Sequence, residues 1–209
     1  MGDIAADSTD LMKSDDQFDP ISNLLVAQCD RPRHVLSVNM RVLSPFQRAL
    51  LVIDGTVTSF IEAYAMEPLD IERIAQERRT IGEAHLQLEM DEGATVAVRQ
   101  VMIRGKYSRI IRVFATSLVV LSRLPAEIQR RLEIQGEGIG RILNDLQLEN
   151  RREILWYGRE RANDVPEILR DGTTKEFITR TYRIIHQQKP IALINEKFPN
   201  DSDALPSHH

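Results

Sequence analysis

The stretch TYRIIHQQKPIALINEKFP, Thr181 to Pro199, does most to limit the folds open to this chain. Two apolar runs flank Gln187-Gln188-Lys189-Pro190, where Pro190 ends one run and opens the next, so the stretch predicts an antiparallel hairpin. Strand side chains alternate between faces. In the second run this puts Ala192, Ile194, Glu196 and Phe198 on one face and Ile191, Leu193, Asn195 and Lys197 on the other. Glu196 therefore stands among apolar neighbours. A carboxylate on the core side of a strand is costly to desolvate unless a cation or a hydrogen-bond donor meets it, so the rest of the chain has to supply a partner.

A second misplaced charge lies in Thr95 to Ile103, TVAVRQVMI, whose alternation places Ala97, Arg99, Val101 and Ile103 on one face. Arg99 and Glu196 are far apart in sequence, and each is expected to point into an apolar layer. Two accounts stay open. The pair forms a buried ion pair or two snorkelling side chains. Alternatively, they line an enclosed pocket in which Arg99 holds a substrate carboxylate by a two-pronged contact and Glu196 handles a hydroxyl or a proton.

The remaining elements follow from caps and turns. Ser44-Pro45-Phe46-Gln47 is a capping-box start, and Asp54-Gly55 is expected to stop that helix. Thr56 can then cap a short helix from Val57 to Ala65. The Gly55-Thr56-Val57 corner exposes backbone N–H groups at a helix N-terminus, either as an anion site or simply as a turn between packed helices. Leu69 to Arg78, Thr95 to Ile103, Arg109 to Leu121, Leu148 to Tyr157 and Lys175 to His186 read as strands, and Ile81 to Leu88 is ambiguous. Pro125 begins a helix that Gly136 and Gly138 end, Ile139 to Leu143 begins another at a second corner, and Val165 to Leu169 reads as a short helix. Hairpins dominate without regular strand–helix alternation. This predicts an α+β fold, an antiparallel sheet with helices packed mainly on one side. Residues 21–199 are expected to form the domain, between polar, disordered ends at 1–20 and 200–209.

Composition excludes several functions. A formal net charge of -4 offers no basic face for nucleic acid or an anionic membrane. The helix TSFIEAYAME of the apparent helix-turn-helix carries two Glu and no Lys or Arg, which argues against DNA binding. No apolar run approaches the roughly 20 residues of a membrane helix and no signal core opens the chain, so a cytoplasmic location is expected. Cys29 is the single cysteine, and His34, His85 and His186 lack metal-ligand spacing, so no metal is expected. Gly136-Glu137-Gly138-Ile139-Gly140 does not follow a strand and is a weak nucleotide fingerprint.

Five segments in register carry a resemblance: LSPFQRALLVIDGTVTSFIEAY from Leu43, VRQV around Arg99, RLP at Arg123, GIGRIL from Gly138, and YRIIHQQKPIALINEKF from Tyr182. Together they resemble the chorismate lyases (chorismate pyruvate-lyases), closer to the divergent bacterial, archaeal and plastid branch than to the shorter enterobacterial form. The resemblance implies an antiparallel sheet with helices closing over a buried site, and a cofactor-free reaction on a small-molecule substrate that converts chorismate to 4-hydroxybenzoate and pyruvate, a quinone precursor among other uses. It places the family's arginine on Arg99, its glutamate on Glu196, and its ligand-binding backbone groups on Val57 and Ile139, where Val57 stands for a methionine or leucine. It also leaves two other readings: an effector-type module that binds a small aromatic acid without chemistry, and a chorismatase giving a different hydroxybenzoate.

Overall fold

A computed structural model describes residues 21–134, 137–161 and 176–200. The Val165–Leu169 helix expected from sequence lies outside these residues, as do the two polar ends up to residue 20 and beyond residue 200. The described elements are helices α1 (Pro45–Val52), α2 (Val57–Ala65), α3 (Ala126–Leu132) and α4 (Ile139–Asp145), and strands β1 (Leu69–Thr80), β2 (Thr95–Gly105), β3 (Ile111–Val119), β4 (Arg151–Arg161), β5 (Glu176–His186) and β6 (Lys189–Pro199). The ambiguous Ile81–Leu88 segment is a loop with one 3₁₀ turn at Leu86–Leu88.

The six strands form one antiparallel sheet in the order β1-β2-β3-β6-β5-β4. Two three-stranded meanders thus meet through β3 and β6, which makes the C-terminal strand central. The fold is α+β, as the hairpin-rich pattern predicts. One face of the sheet carries all four helices. Leu124, Ile128, Leu132, Ile142 and Leu143 pack on Val119, Ile184, Ala192 and Ile194 toward one end. Leu50, Val57 and Ile61 pack on Leu69, Ile103, Val113 and Phe198 toward the other. Each such side chain, fully buried, contributes about 1.5–3 kcal/mol.

Local rules explain most boundaries. At α1, Gln47 N–H donates to Ser44 Oγ (3.2 Å) while Ser44 N–H donates to Gln47 Oε1 (2.8 Å), the expected capping box. The stop differs from expectation. Ile53 turns to extended backbone (φ −61°, ψ 125°) rather than handing over to a left-handed glycine. Two arginines from the sheet satisfy the freed carbonyls instead: Arg180 Nη1 donates to Ile53 O (2.9 Å) and Arg152 Nη1 to Asp54 O (2.6 Å). Thr56 occupies the N-cap position of α2, but its hydroxyl caps no N–H.

The β5–β6 turn is also tighter than expected. Lys189 and Pro190 already belong to β6, pairing with His186 and Ile185, and the loop is Gln187-Gln188 with φ of 48° and 61°. Two left-handed residues are what a type I′ hairpin requires, because its twist matches that of the strands. Asn200 extends the order by one residue past β6, its N–H donating to Glu176 O.

Candidate functional site

Between the sheet and the helices lies a cavity whose wall includes Thr56 and Val57 at the start of α2, Gly138 to Arg141 at the start of α4, Arg99 of β2, Ser117 of β3, Arg152 of β4, Tyr182 of β5 and Ile194 and Glu196 of β6. The sheet register explains why residues so far apart in sequence meet. Gln76, Arg99, Ser117, Ile194, Tyr182 and Ile154 occupy one rung of the helix-covered face, and Arg73, Val101, Ala115, Glu196, Arg180 and Tyr157 the next. All four residues singled out by sequence, Val57, Arg99, Ile139 and Glu196, line this one cavity.

The two buried charges do not pair with each other. Glu196 is 4% exposed and is met by Arg180, whose Nε donates to Oε2 (2.7 Å), and by Tyr182, whose hydroxyl donates to Oε1 (3.1 Å). Arg180 is 1% exposed, sits opposite Glu196 in the β5–β6 ladder, and lies 5.1 Å from the centre of the Tyr182 ring. Burial, and after it the Glu196 carboxylate, push the Tyr182 phenol well above its ordinary range, with Arg180 and Arg152 opposing. Tyr182 therefore remains a donor at neutral pH.

Arg99 is 3% exposed and has no ion pair among the described residues. Its Nε donates to Gln76 Oε1 (2.8 Å) and its Nη2 to the Glu137 carbonyl (3.0 Å), leaving Nη1 without a hydrogen bond among the described residues. Gln76 is itself fixed by Arg73, which also donates to Glu133 O at the end of α3 (3.0 Å), and by its own Nε2–H donating to Glu133 Oε2 (2.9 Å). Burial first, then the Arg73 charge, pull Arg99 below the usual arginine range, while Glu133 and Glu137 pull the other way. An arginine stays charged even so. The result is a buried, rigidly held cation with spare donor capacity.

The first turns of α2 and α4 meet the same cavity. The first N–H groups of a helix have no intrahelical partner, and neither N-cap, Thr56 or Gly138, supplies a side-chain acceptor. A Cβ placed on Gly140 would lie 3.5 Å from Thr56 Cγ2 and 3.6 Å from Arg152 Nη2, so the two helix starts and Arg152 are immediate neighbours. Arg180, Tyr182 and Arg152 escaped the sequence reading. Arg180 had the same signal as Arg99, because Ile178, Arg180, Tyr182 and Ile184 alternate along one apolar face, but it lies one residue before the hairpin as delimited. Among the described residues no cluster of His, Cys, Asp and Glu is arranged for a metal, and no helix is long and apolar enough to cross a membrane.

The fold is of the kind seen in solved structures of PhnF from Mycobacterium smegmatis. The whole-chain structure superposes with a TM-score of 0.56 at 14% identity over 84% of this chain and 70% of that one. Its effector domain gives 0.55 at 14% identity over 71% and 90%. At that identity the likeness concerns the fold. A family model described as chorismate pyruvate-lyase Rv2949c-like matches residues 51–205, and the chain belongs to that family of carbon–oxygen lyases. Curated relatives agree: the chorismate pyruvate-lyase of Mycobacterium leprae (strain TN) is 28% identical over 165 residues, 76% of each chain. That of Mycobacterium tuberculosis (strain CDC 1551 / Oshkosh) is 26% identical over 168 residues, 76% of this chain and 82% of the relative.

Proposed function

We propose that this protein eliminates pyruvate from chorismate to give 4-hydroxybenzoate, with Arg99 binding the ring carboxylate and Glu196 acting at the 4-hydroxyl and in proton transfer. The observation that carries the reading is the pair of unlike charges on one cavity wall. Arg99 is buried without a carboxylate among the described residues, and Glu196, a rung away and two strands over, is held by Arg180 and Tyr182.

The chemistry asks for positioning. The C3–O bond to the enolpyruvyl group breaks, the C4–H electrons complete the aromatic ring, and a proton equivalent to that lost from C4 is added to the enolpyruvyl methylene, which becomes the methyl group of pyruvate. Atoms and electrons balance with no external oxidant or reductant. The barrier then falls chiefly by fixing one conformer of a dianion in a site closed to water. Gln76 and the Glu137 carbonyl orient Arg99 before substrate arrives, and the uncapped N–H groups at Val57 and Ile139 add donors on the helix side. Arg180 holds Glu196 while leaving it on the cavity wall, so its oxygens can meet the 4-hydroxyl.

Incubation of the purified protein with chorismate, with hydroxybenzoate isomers separated by chromatography and pyruvate assayed in parallel, tests this directly. Equimolar 4-hydroxybenzoate and pyruvate above the spontaneous background is expected. A different isomer would mark a chorismatase, and thermal stabilisation by 4-hydroxybenzoate without turnover would mark a binding module.

A further inference from the structure

Chorismate carries two carboxylates and its aromatic product carries one, so a site built on Arg99 alone would not tell them apart. The cavity wall holds a second cation suited to the difference. Arg152 enters from β4, at the opposite edge of the sheet from the β1–β2 pair that holds Arg99. The two arginines are separated by four inter-strand steps, roughly 19 Å between their backbones. Both side chains line the same cavity, and so reach toward its middle from opposite sides.

Arg152 is half-buried and incompletely used. Its Nη1 donates to the Asp54 carbonyl at the α1–α2 corner (2.6 Å), while its Nε is buried with no hydrogen-bond partner among the described residues. No carboxylate pairs with it among those residues. Its Nη2 lies beside Gly140 and Thr56, where the uncapped starts of α4 and α2 meet. The Asp54 carbonyl it holds directly follows that of Ile53, which accepts from Nη1 of Arg180, the arginine whose Nε meets Glu196. Arg152 therefore belongs to the Glu196 end of the cavity.

Substrate geometry completes the argument. In chorismate the ring carboxylate at C1 lies across the ring from the 4-hydroxyl, and the enolpyruvyl group at C3 is next to it. With the ring carboxylate at Arg99 and the hydroxyl at Glu196, the second carboxylate falls at the Glu196 end and to one side.

We propose that Arg152, through its unpartnered Nε and the adjacent Nη2, is the binding residue for the enolpyruvyl carboxylate and so distinguishes the dicarboxylate substrate from the monocarboxylate product. This rests on the reading of the site given above. Once the C3–O bond breaks, that carboxylate leaves with pyruvate, and 4-hydroxybenzoate is left without the second contact.

The test measures two ligands on each of three proteins: KM and kcat for chorismate, and Kd for 4-hydroxybenzoate by calorimetry, for wild type, Arg152→Gln and Arg152→Lys. In Arg152→Gln, loss of a charged hydrogen bond should raise KM for chorismate by about ten- to a hundredfold. Affinity for 4-hydroxybenzoate should change by no more than about twofold, as expected where no contact is lost. Arg152→Lys, which keeps the charge, should recover part of the KM. A merely structural role, through the tie to Asp54, would loosen the α1–α2 corner and weaken both ligands in parallel, and that result overturns the inference. Wild type that neither consumes chorismate nor binds 4-hydroxybenzoate overturns the reading of the site and this inference with it, a pattern distinct from parallel losses in an active enzyme.

Discussion

Glu196 and Lys197 are neighbours on β6, both buried and both paired with an opposite charge, yet they face opposite sides of the sheet. Glu196 meets Arg180 on the helix-covered face, and Lys197 reaches over β5 to Glu160 on the other. The Lys197–Glu160 pair does not line the cavity described above. Glu196 of the other pair lines it, with a phenol donor alongside and an Arg180 Nη2 that has no hydrogen bond among the described residues. Burial of a charge therefore does not mark a site by itself. What distinguishes the front pair is a charge set left incomplete among the described residues: Arg99 has no anion, and Arg99, Arg152 and Arg180 each keep a free donor.

The comparison can be broken most decisively at its front. Arg99→Ala and Glu196→Gln should each lower kcat/KM for chorismate by about 10²-fold or more, the scale for losing a preorganised charge or a proton-transfer group. Steady-state kinetics on folded protein checks this, and near wild-type turnover in either variant would remove that residue from the site. Arg180→Met comes next. It strands Glu196 as an uncompensated buried charge and should destabilise the fold by about 3–5 kcal/mol as well as impair turnover. Urea unfolding with kinetics on the folded fraction measures both, and Arg180→Lys should restore part of the activity.

Behind the sheet the two effects separate. Lys197→Met should lower stability on the same scale, about 3–5 kcal/mol, with KM for chorismate unchanged in the folded fraction. The double variant Glu160→Leu/Lys197→Met should recover most of that loss, because a buried ion pair and an apolar pair of similar volume are often equivalent. A KM that moves with Lys197→Met would erase the distinction between the two faces.

Smaller effects probe the frame around them. Glu67 accepts from the Ser108 and Tyr107 amides and the Ser108 hydroxyl, and the Ser108 amide first of all holds its carboxyl below the ordinary 4.5. A carboxyl depressed in the folded state contributes stability above its unfolded pKa and loses it as pH falls through the folded value. Melting temperatures from neutral to acidic pH should thus fall less steeply for Glu67→Gln than for wild type below the ordinary carboxylate range. Replacing Gln187-Gln188 by Asn-Gly should stabilise the hairpin by about 1 kcal/mol, since Gly removes the left-handed cost at position 188. An unchanged or lower denaturation midpoint would show that this turn is not strained.

Much of this architecture was legible before any coordinates. Alternation marked Arg99 and Glu196 as charges on apolar faces, because side-chain direction in a strand depends only on the parity of position. The capping box at Ser44 and Gln47, the helix starts at Val57 and Ile139, and the α+β class rest on equally local rules.

Which charges meet was a different matter. Glu196 takes Arg180 as its partner because β5 and β6 pair in the register that sets those two residues opposite each other. Among the described residues Arg99 meets no carboxylate, and its Nε and Nη2 go instead to Gln76 on β1 and to the Glu137 carbonyl just before α4. The stop of α1 likewise depends on arginines from β4 and β5, more than ninety residues away in sequence. Parity and capping are properties of a few consecutive residues and can be read from the chain. Pairing, cavity shape and the meeting of Arg152 and Glu196 on one cavity wall depend on strand order and register, which only the packing of the whole sheet against its helices decides.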